Sequence, residues 1–210
     1  IDERPRVDAS RGPRDTELLT NVVKKLTRQI FVPLTLGGGV DSVVVAQKFV
    51  DAGADKILVN SAFHTNKDVI RRIVREFGQQ FLIAGVDVEL TGGLYKTKYL
   101  NGSSGSKGLL DLVSSIKQED LAGELLIQSI DRDGTGFGMD LEVLHVLPED
   151  LRIPIVLAGG VGEASHIEFA LRTDRVSGVA TANLLNFVGN GMAAARAKIS
   201  ESGVALAKFW

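Results

Sequence analysis

The chain has 210 residues, 44% of them apolar, a formal net charge of −2 at pH 7 and no cysteine. This length allows one large domain with a substantial core, and the composition excludes disulfide bonds and thiolate zinc sites. Because the charge is near zero and no apolar run approaches the roughly 20 residues of a membrane span, we expect a cytoplasmic protein that binds neither nucleic acid nor membrane.

Six short apolar runs rich in valine, isoleucine and leucine predict strands, and the amphipathic stretches between them predict helices. The runs occupy residues 31–36, 56–60, 81–88, 124–130, 153–158 and 176–181. Runs that are apolar throughout are typical of strands buried on both faces, so the pattern predicts a parallel sheet covered by helices. Residues 89–106 interrupt the pattern. We expect them to form an inserted hairpin or loop within a single domain that spans residues 1–210.

Two segments of the chain resemble one another: "PLTLGGGV" at residues 33–40 and "PIVLAGGV" at residues 154–161. In each copy a glycine-rich turn follows the strand, and the next strand ends near an asparagine. Asp131 of "SIDRDG" likewise has a counterpart in Asp2, which indicates that a half of four βα units is duplicated. Such a duplication predicts a (β/α)8 TIM barrel. We expect this chain to lack the first strand, the first helix and most of the second strand of that barrel.

The duplicated glycine turns are candidate anion sites. Loops that follow the strands of a TIM barrel meet at its C-terminal face, and glycines there let backbone N–H groups approach an anion near the positive end of a helix. The candidate ligands of the first anion are Gly38, Gly39, Asn60 and Ser61, and those of the second are Gly134, Gly159, Gly160 and Asn183. If the glycines only form tight turns, no anion binds. We expect valine at Gly39 or Gly160 to weaken phosphate binding without altering the fold.

Residues 131–142, "DRDGTGFGMDLE", also match several positions of an EF-hand calcium loop. They follow a predicted strand rather than a helix, and Thr135 and Gly138 depart from the calcium-loop pattern. We therefore expect neither a metal nor a cofactor.

Five motifs resemble the HisF family, the cyclase subunit of imidazole glycerol phosphate synthase: "PLTLGGGV", "GADKILVNSA", "GVDV", "GELLIQSIDRDGTGFGMD" and "PIVLAGGVGE". The resemblance runs from Pro33 to about Phe187, and it implies a (β/α)8 barrel that receives ammonia from a HisH-like glutaminase subunit. The implied reaction converts a bisphosphorylated ribulosyl-formimino precursor into imidazole glycerol phosphate and an aminoimidazole ribotide, in histidine biosynthesis. The strand end "VNSA" and the aspartate of "GFGMD" favour HisF over the sister HisA isomerase family.

The resemblance also implies roles for individual residues. Asp87 corresponds to one of two aspartates that act as general acid and base, and the other aspartate lies on the first strand of the family barrel. Gln128 and Asp133 are assigned to substrate or phosphate binding. An aspartate at the end of a buried strand can equally be a turn or cap residue. If the polypeptide begins at Ile1, we expect no cyclase activity, whereas an upstream segment would restore the second aspartate.

Three charged residues lie at the opposite end of the predicted barrel, where strands begin. Lys56 opens the second predicted strand, Glu124 opens the fourth, and Asp55 precedes Lys56. Charged residues at such places are often only solvated or paired. The resemblance implies that Lys56 and Glu124 belong to a ring that gates ammonia and that Asp55 lies at the surface where the glutaminase docks.

The chain departs from the HisF pattern at several positions. Gln128 replaces a threonine, Ala158 replaces a serine, and the N-terminal segment has arginine at positions 4, 6, 11 and 14. The "RGP" of that segment resembles HisF-like paralogues that act with an amidotransferase on nucleotide-linked sugars of surface glycans. The arginines could clamp an anionic substrate or simply be solvated. Two alternatives therefore remain open, that paralogue function and a catalytically silent barrel fragment.

Overall fold

The computed structural model describes residues 16–99, 107–182 and 191–207. The strands are β1 (Thr35–Gly37), β2 (Lys56–Val59), β3 (Leu82–Thr91), β4 (Leu94–Lys98), β5 (Glu124–Ser129), β6 (Ile155–Ala158) and β7 (Gly178–Ala180). The α-helices are α1 (Thr16–Leu26), α2 (Val43–Asp51), α3 (Ser61–Thr65), α4 (Lys67–Phe77), α5 (Leu109–Gln118), α6 (Ala164–Leu171) and α7 (Gly191–Glu201). Short 3₁₀ helices cover Gln79–Phe81 and Glu142–Val146.

The strands form one sheet in the order β1-β2-β3-β5-β6-β7, and all neighbours in this order are parallel. With helices alternating along the chain, the sheet curls into a half-barrel, the arrangement of a partial (β/α)8 TIM barrel. The predicted fold class is confirmed. Each of the six predicted strands corresponds to a parallel strand of this sheet.

The first strand is shorter than its apolar run suggests. The run begins at Phe31, but β1 begins only at Thr35, and Phe31 is 96% exposed. Pro33 lies between them, and a proline has no N–H group to donate to a neighbouring strand. The ladder therefore starts beyond the proline.

The helix α4 shows how local sequence sets the start and the end of a predicted helix. The Asn66 side chain accepts a hydrogen bond from the Val69 N–H at 3.3 Å and caps the start of α4. The helix is followed by Gly78 at its C-cap, whose φ of 86° is readily adopted only by glycine. The helix buries Ile70 and Ile73 on one side, and this packing supplies most of its stability.

The two faces of the sheet have different environments. On β5, Leu125 and Ile127 are buried against the helices, whereas Glu124, Leu126 and Gln128 are only half-buried on the concave face. The same alternation occurs on β2. We call the inner surface of the half-barrel, which carries the half-buried side chains of β2, β3, β5 and β6, the concave face. It presents polar groups at both ends of the strands.

The strand β3 continues past its parallel neighbours and turns back at Gly92 and Gly93 into β4, which pairs with it in antiparallel fashion. This hairpin occupies residues 89–99 of the interrupting segment, and residues 100–106 lie outside the described residues. The N–H of Leu90 donates to Asp131, and the hydroxyl of Tyr95 donates to Asp140 at 2.9 Å. Both partners belong to the loop after β5. None of the described helices is long and apolar enough to cross a membrane.

Candidate active site

Asp87 lies near the C-terminal end of the parallel part of β3, half-buried on the concave face. Its Cα partner on β5 is Gln128, and the side-chain amide of Asn60, at the end of β2, donates a hydrogen bond to its carboxylate. Burial raises the pKa of Asp87, the Asn60 hydrogen bond opposes this rise, and the negative charge of Asp133 adds to it. A carboxyl group with a raised pKa is suited to proton transfer near neutral pH.

The first glycine turn joins β1 to α2. Gly38 and Gly39 have φ angles of 104° and 68°, which favour glycine, and the side chain of Ser42 caps the helix that follows. The N–H of Gly39 donates no hydrogen bond within the part of the chain that the structure describes. Asn60 and Ser61 follow the neighbouring strand β2. Since β1 and β2 are parallel, all four candidate ligands lie at the same edge of the sheet.

The second glycine turn joins β6 to α6 and packs tightly on the loop after β5. Gly159 and Gly160 have φ angles of 93° and 90°. A Cβ atom on Gly160 would lie 2.1 Å from the carbonyl oxygen of Gly138, and one on Gly159 would lie 2.6 Å from that of Ser129. The expectation that valine at Gly160 leaves the fold unaltered is therefore wrong, because the two loops would have to separate. Among the described residues, the N–H of Gly160 makes no hydrogen bond.

The remaining candidate ligands of the second anion differ in what the structure shows. Gly134 has a φ of 72° and lies in the loop after β5, directly after Asp133. The N–H of Asp133 donates to the carbonyl of Ser129 at 3.0 Å, which fixes the start of this loop. Asn183 lies outside the described residues.

The charged residues at the other end of the strands form an ion pair across the concave face. The ammonium of Lys56 on β2 bonds the carboxylate of Glu124 on β5, with β3 between them, and their side chains are 34% and 25% exposed. Asp55 is exposed, and its carboxylate accepts the N–H of Leu34 at 2.7 Å. Asp55 therefore also fixes the chain just before β1.

A band of apolar side chains separates this ion pair from Asp87. Leu58 pairs with Ile83, and Leu126 pairs with Gly85 and Val156. Because Ile83, the Cα partner of Glu124, precedes Asp87 by four residues, the two polar ends lie about 13 Å apart along the strand. A Cβ on Gly85 would come within 3.2 Å of Leu58, so glycine at this position leaves space for the Leu58 side chain of the apolar band.

Comparison with known proteins assigns the family. A family model described as "Histidine biosynthesis protein" matches residues 7–189. The chain is 36% identical over 211 residues to a protein of Parasynechococcus marenigrum named "Putative imidazole glycerol phosphate synthase subunit hisF2", with 100% of this chain and 78% of the relative covered. It is 34% identical over 205 residues to the imidazole glycerol phosphate synthase subunit HisF of Pyrobaculum aerophilum, with 97% and 80% covered.

The chain belongs to the histidine biosynthesis protein family. Because both relatives carry the name HisF, the predicted resemblance to HisF is confirmed, and the chain is a HisF-like member of that family. The roles assigned to individual residues stay predictions.

In this HisF-like chain, the structure adds two histidines that the sequence had left without a role. His64 on α3 stacks on Tyr99 at a centroid distance of 4.3 Å, and burial, then the charge of Lys107, lowers its pKa to about 4. Neither ring nitrogen has a hydrogen-bond partner among the described residues. A neutral His64 thus packs against the base of the hairpin and brings no positive charge to the first glycine turn.

The second histidine is His166, which lies in the first turn of α6. Its Nδ1 accepts the N–H of Gly162, the last glycine of the second turn, at 3.1 Å. A signal for this contact is present in the sequence, since the histidine is the third residue of a helix that follows a glycine-rich turn. A side chain at that position can reach back to the N–H groups that precede the helix.

Proposed function

We propose that this chain is the cyclase subunit of an imidazole glycerol phosphate synthase. It would use ammonia to convert a bisphosphorylated ribulosyl-formimino precursor into imidazole glycerol phosphate and an aminoimidazole ribotide. The observation that carries the proposal is Asp87, a half-buried carboxyl with a raised pKa on a concave face that has a glycine turn on either side. Ammonia addition and ring closure both require proton transfer, and Asp87 can hold or release a proton there.

The two glycine turns support a substrate with a phosphate at each end. They follow β1 and β6, which lie on opposite sides of β3 in the sheet. The N–H groups of Gly39 and Gly160, which have no hydrogen-bond partner among the described residues, favour anions together with the positive ends of α2 and α6. A bisphosphate bound at both turns would extend across the strand end that carries Asp87.

The concave face supports an ammonia route from the opposite end. A glutaminase partner would dock where the strands begin, near Asp55 and the Lys56–Glu124 ion pair. Uncharged ammonia passes an apolar band at little cost, whereas ammonium would have to lose its hydration. The band of Leu58, Ile83 and Leu126 would therefore favour the passage of ammonia over that of ammonium on the way to Asp87.

The direct test is turnover driven by added ammonium chloride, with product identified by mass spectrometry. Asp87→Asn is expected to lower kcat by two to four orders of magnitude, the usual contribution of a positioned acid or base. Asp174→Asn, which changes an exposed carboxylate in the loop after α6, serves as the matched control and is expected to behave like the wild type. Near-normal turnover by Asp87→Asn would exclude the proton-transfer role.

A second candidate is a HisF-like subunit that amidates nucleotide-linked sugars. Gln128 favours it, because this residue faces the same concave surface as Asp87 and gives an amide where the HisF pattern has threonine. The same ammonium assay with a nucleotide-linked sugar distinguishes the two. Amidation of the sugar without formation of imidazole glycerol phosphate would support the second candidate, and activity on neither substrate would support a silent barrel.

A further inference from the structure

We propose that His166 is a positioning residue that holds the second glycine turn in the conformation that binds a phosphate. The inference rests on the proposed function, since it concerns the anion site at the end of β6. His166 itself would not touch the phosphate. It would act through Gly162 and thereby through the open N–H of Gly160.

The contacts of His166 join three parts of the structure. Its Nδ1 accepts the Gly162 N–H at 3.1 Å, and a Cβ on Gly138 would lie 3.5 Å from the imidazole Cδ2. The N–H of Gly138 donates to the carbonyl of Gly160 at 2.8 Å. The imidazole therefore bonds the glycine turn after β6 and lies beside the loop after β5 that packs on it.

The start of α6 explains why such a contact is needed. Glu163 lies at the N-cap, and its side chain accepts no hydrogen bond from the backbone of the helix. In its place, His166 reaches back from the first turn and satisfies the N–H of Gly162, as the third helical residue does for the N-cap in a capping box. The carboxylate of Glu163 lies 4.0 Å from His166 Nε2, on the other side of the ring.

A glycine turn needs such a support more than other segments do. Glycine is the most freely rotating residue, so a turn with three glycines in four positions samples many conformations unless contacts select one. Anchoring the N–H of Gly162 on the imidazole fixes one end of the turn. The carbonyl of Gly160 is fixed by Gly138. The N–H of Gly160 then has a defined direction and stays available for an anion.

A purely structural role of His166 makes a different prediction, and two variants separate the roles. His166→Phe keeps an aromatic ring against Gly138 but removes the acceptor. His166→Asn removes the ring but places an amide oxygen near the former Nδ1. His145→Phe, at a histidine side chain that is 80% exposed, is the control for the chemical change.

The experiment measures the binding of ribulose 1,5-bisphosphate, and of inorganic phosphate as a smaller probe, by calorimetry, with thermal unfolding recorded for each variant. We expect the affinity for the bisphosphate to depend on the hydrogen-bond acceptor at position 166. His166→Phe should therefore bind about tenfold more weakly, His166→Asn should stay within about threefold of the wild type, and the control should be unchanged. We expect thermal stability to depend instead on the aromatic ring, so that His166→Asn is less stable than His166→Phe.

The inference is overturned if His166→Phe binds the bisphosphate as tightly as the wild type, or if affinity falls in step with stability in both variants. These outcomes leave the proposed function intact, because ammonium-driven turnover through Asp87 is measured separately. If the wild type binds neither probe, the inference and the assignment of the glycine turn as a phosphate site fail together.

Discussion

At the scale of single residues, the ionised carboxylate of Asp87 lowers the stability of the folded protein, and its buried position explains why. Burial disfavours its charged form, and the negative charge of Asp133 increases this penalty, while the hydrogen bond from Asn60 reduces it. Residues at functional sites commonly reduce stability in this way, since the chemistry requires an environment that folding alone would not select. The cost can be measured through its dependence on pH.

Asp87→Asn is expected to unfold at the same or a higher temperature than the wild type at pH 7. The pKa of Asp87 is higher in the folded protein than in the unfolded chain, so ionisation of this group lowers stability above the folded pKa. As the pH falls through the folded pKa and then below the ordinary carboxyl value of about 3.9, the penalty disappears and the variant loses its advantage. Thermal melts of both proteins from pH 7 to pH 3.5 measure this difference.

The control is Asp174→Asn, which should differ little from the wild type at every pH. A variant Asp87→Asn that is less stable than the wild type at pH 7, with the deficit shrinking toward low pH, would mean that the carboxylate is stabilised rather than penalised by its surroundings.

At the scale of elements, the hairpin of β3 and β4 connects the strand that carries Asp87 with the loop that carries Asp133. The Tyr95 hydroxyl donates to the Asp140 carboxylate at 2.9 Å, and burial, together with this contact, raises the pKa of Tyr95. The N–H of Leu90 donates to Asp131 at 2.8 Å. Two strand-to-loop hydrogen bonds thus hold the hairpin against the loop after β5.

Tyr95→Phe is expected to lower the free energy of unfolding by about 1.5–3 kcal/mol, the range for a hydrogen bond to a charged group. Because Asp140 would lose its partner on the hairpin, we also expect faster amide exchange in β4. Tyr99→Phe is the matched control, since it removes a hydroxyl and keeps the ring that stacks on His64. Denaturant unfolding and hydrogen exchange test this, and an equal loss in both variants would contradict the role assigned to Tyr95.

The sequence was sufficient to predict the parallel strands but not the contacts between loops. The apolar runs identified the six parallel strands of the described residues, although alternate side chains of β2 and β5 are only half-buried on the concave face. The Tyr95–Asp140 bond joins residues 45 positions apart, and the approach of Gly160 to Gly138 depends on how two loops pack. Neither of these two contacts produces a local pattern in the sequence. The glycines of the second turn were predicted to bind a ligand, which stays a prediction, and the structure shows that packing of the two loops requires glycine there.

At the scale of the whole molecule, the concave face has polar groups at opposite ends of the same strands. The Lys56–Glu124 ion pair closes one end, Asp87 lies at the other, and apolar side chains fill the distance of about 13 Å between them. An ion pair this exposed contributes only about 0–1 kcal/mol to stability. Removing the ion pair should therefore leave the fold intact, so this pair is a suitable position at which to test the passage of ammonia along the concave face.

An ammonia route along the concave face is tested by the ratio of glutamine-driven to ammonium-driven turnover in the complex with the glutaminase partner. Lys56→Ala is expected to lower turnover from glutamine at least tenfold while leaving turnover from added ammonium close to that of the wild type. Lys67→Ala breaks an ion pair between the start of α4 and Glu119, the residue after α5, and should change neither rate. Equal losses from both ammonia sources, or no loss from glutamine, would contradict an ammonia route past Lys56 to Asp87.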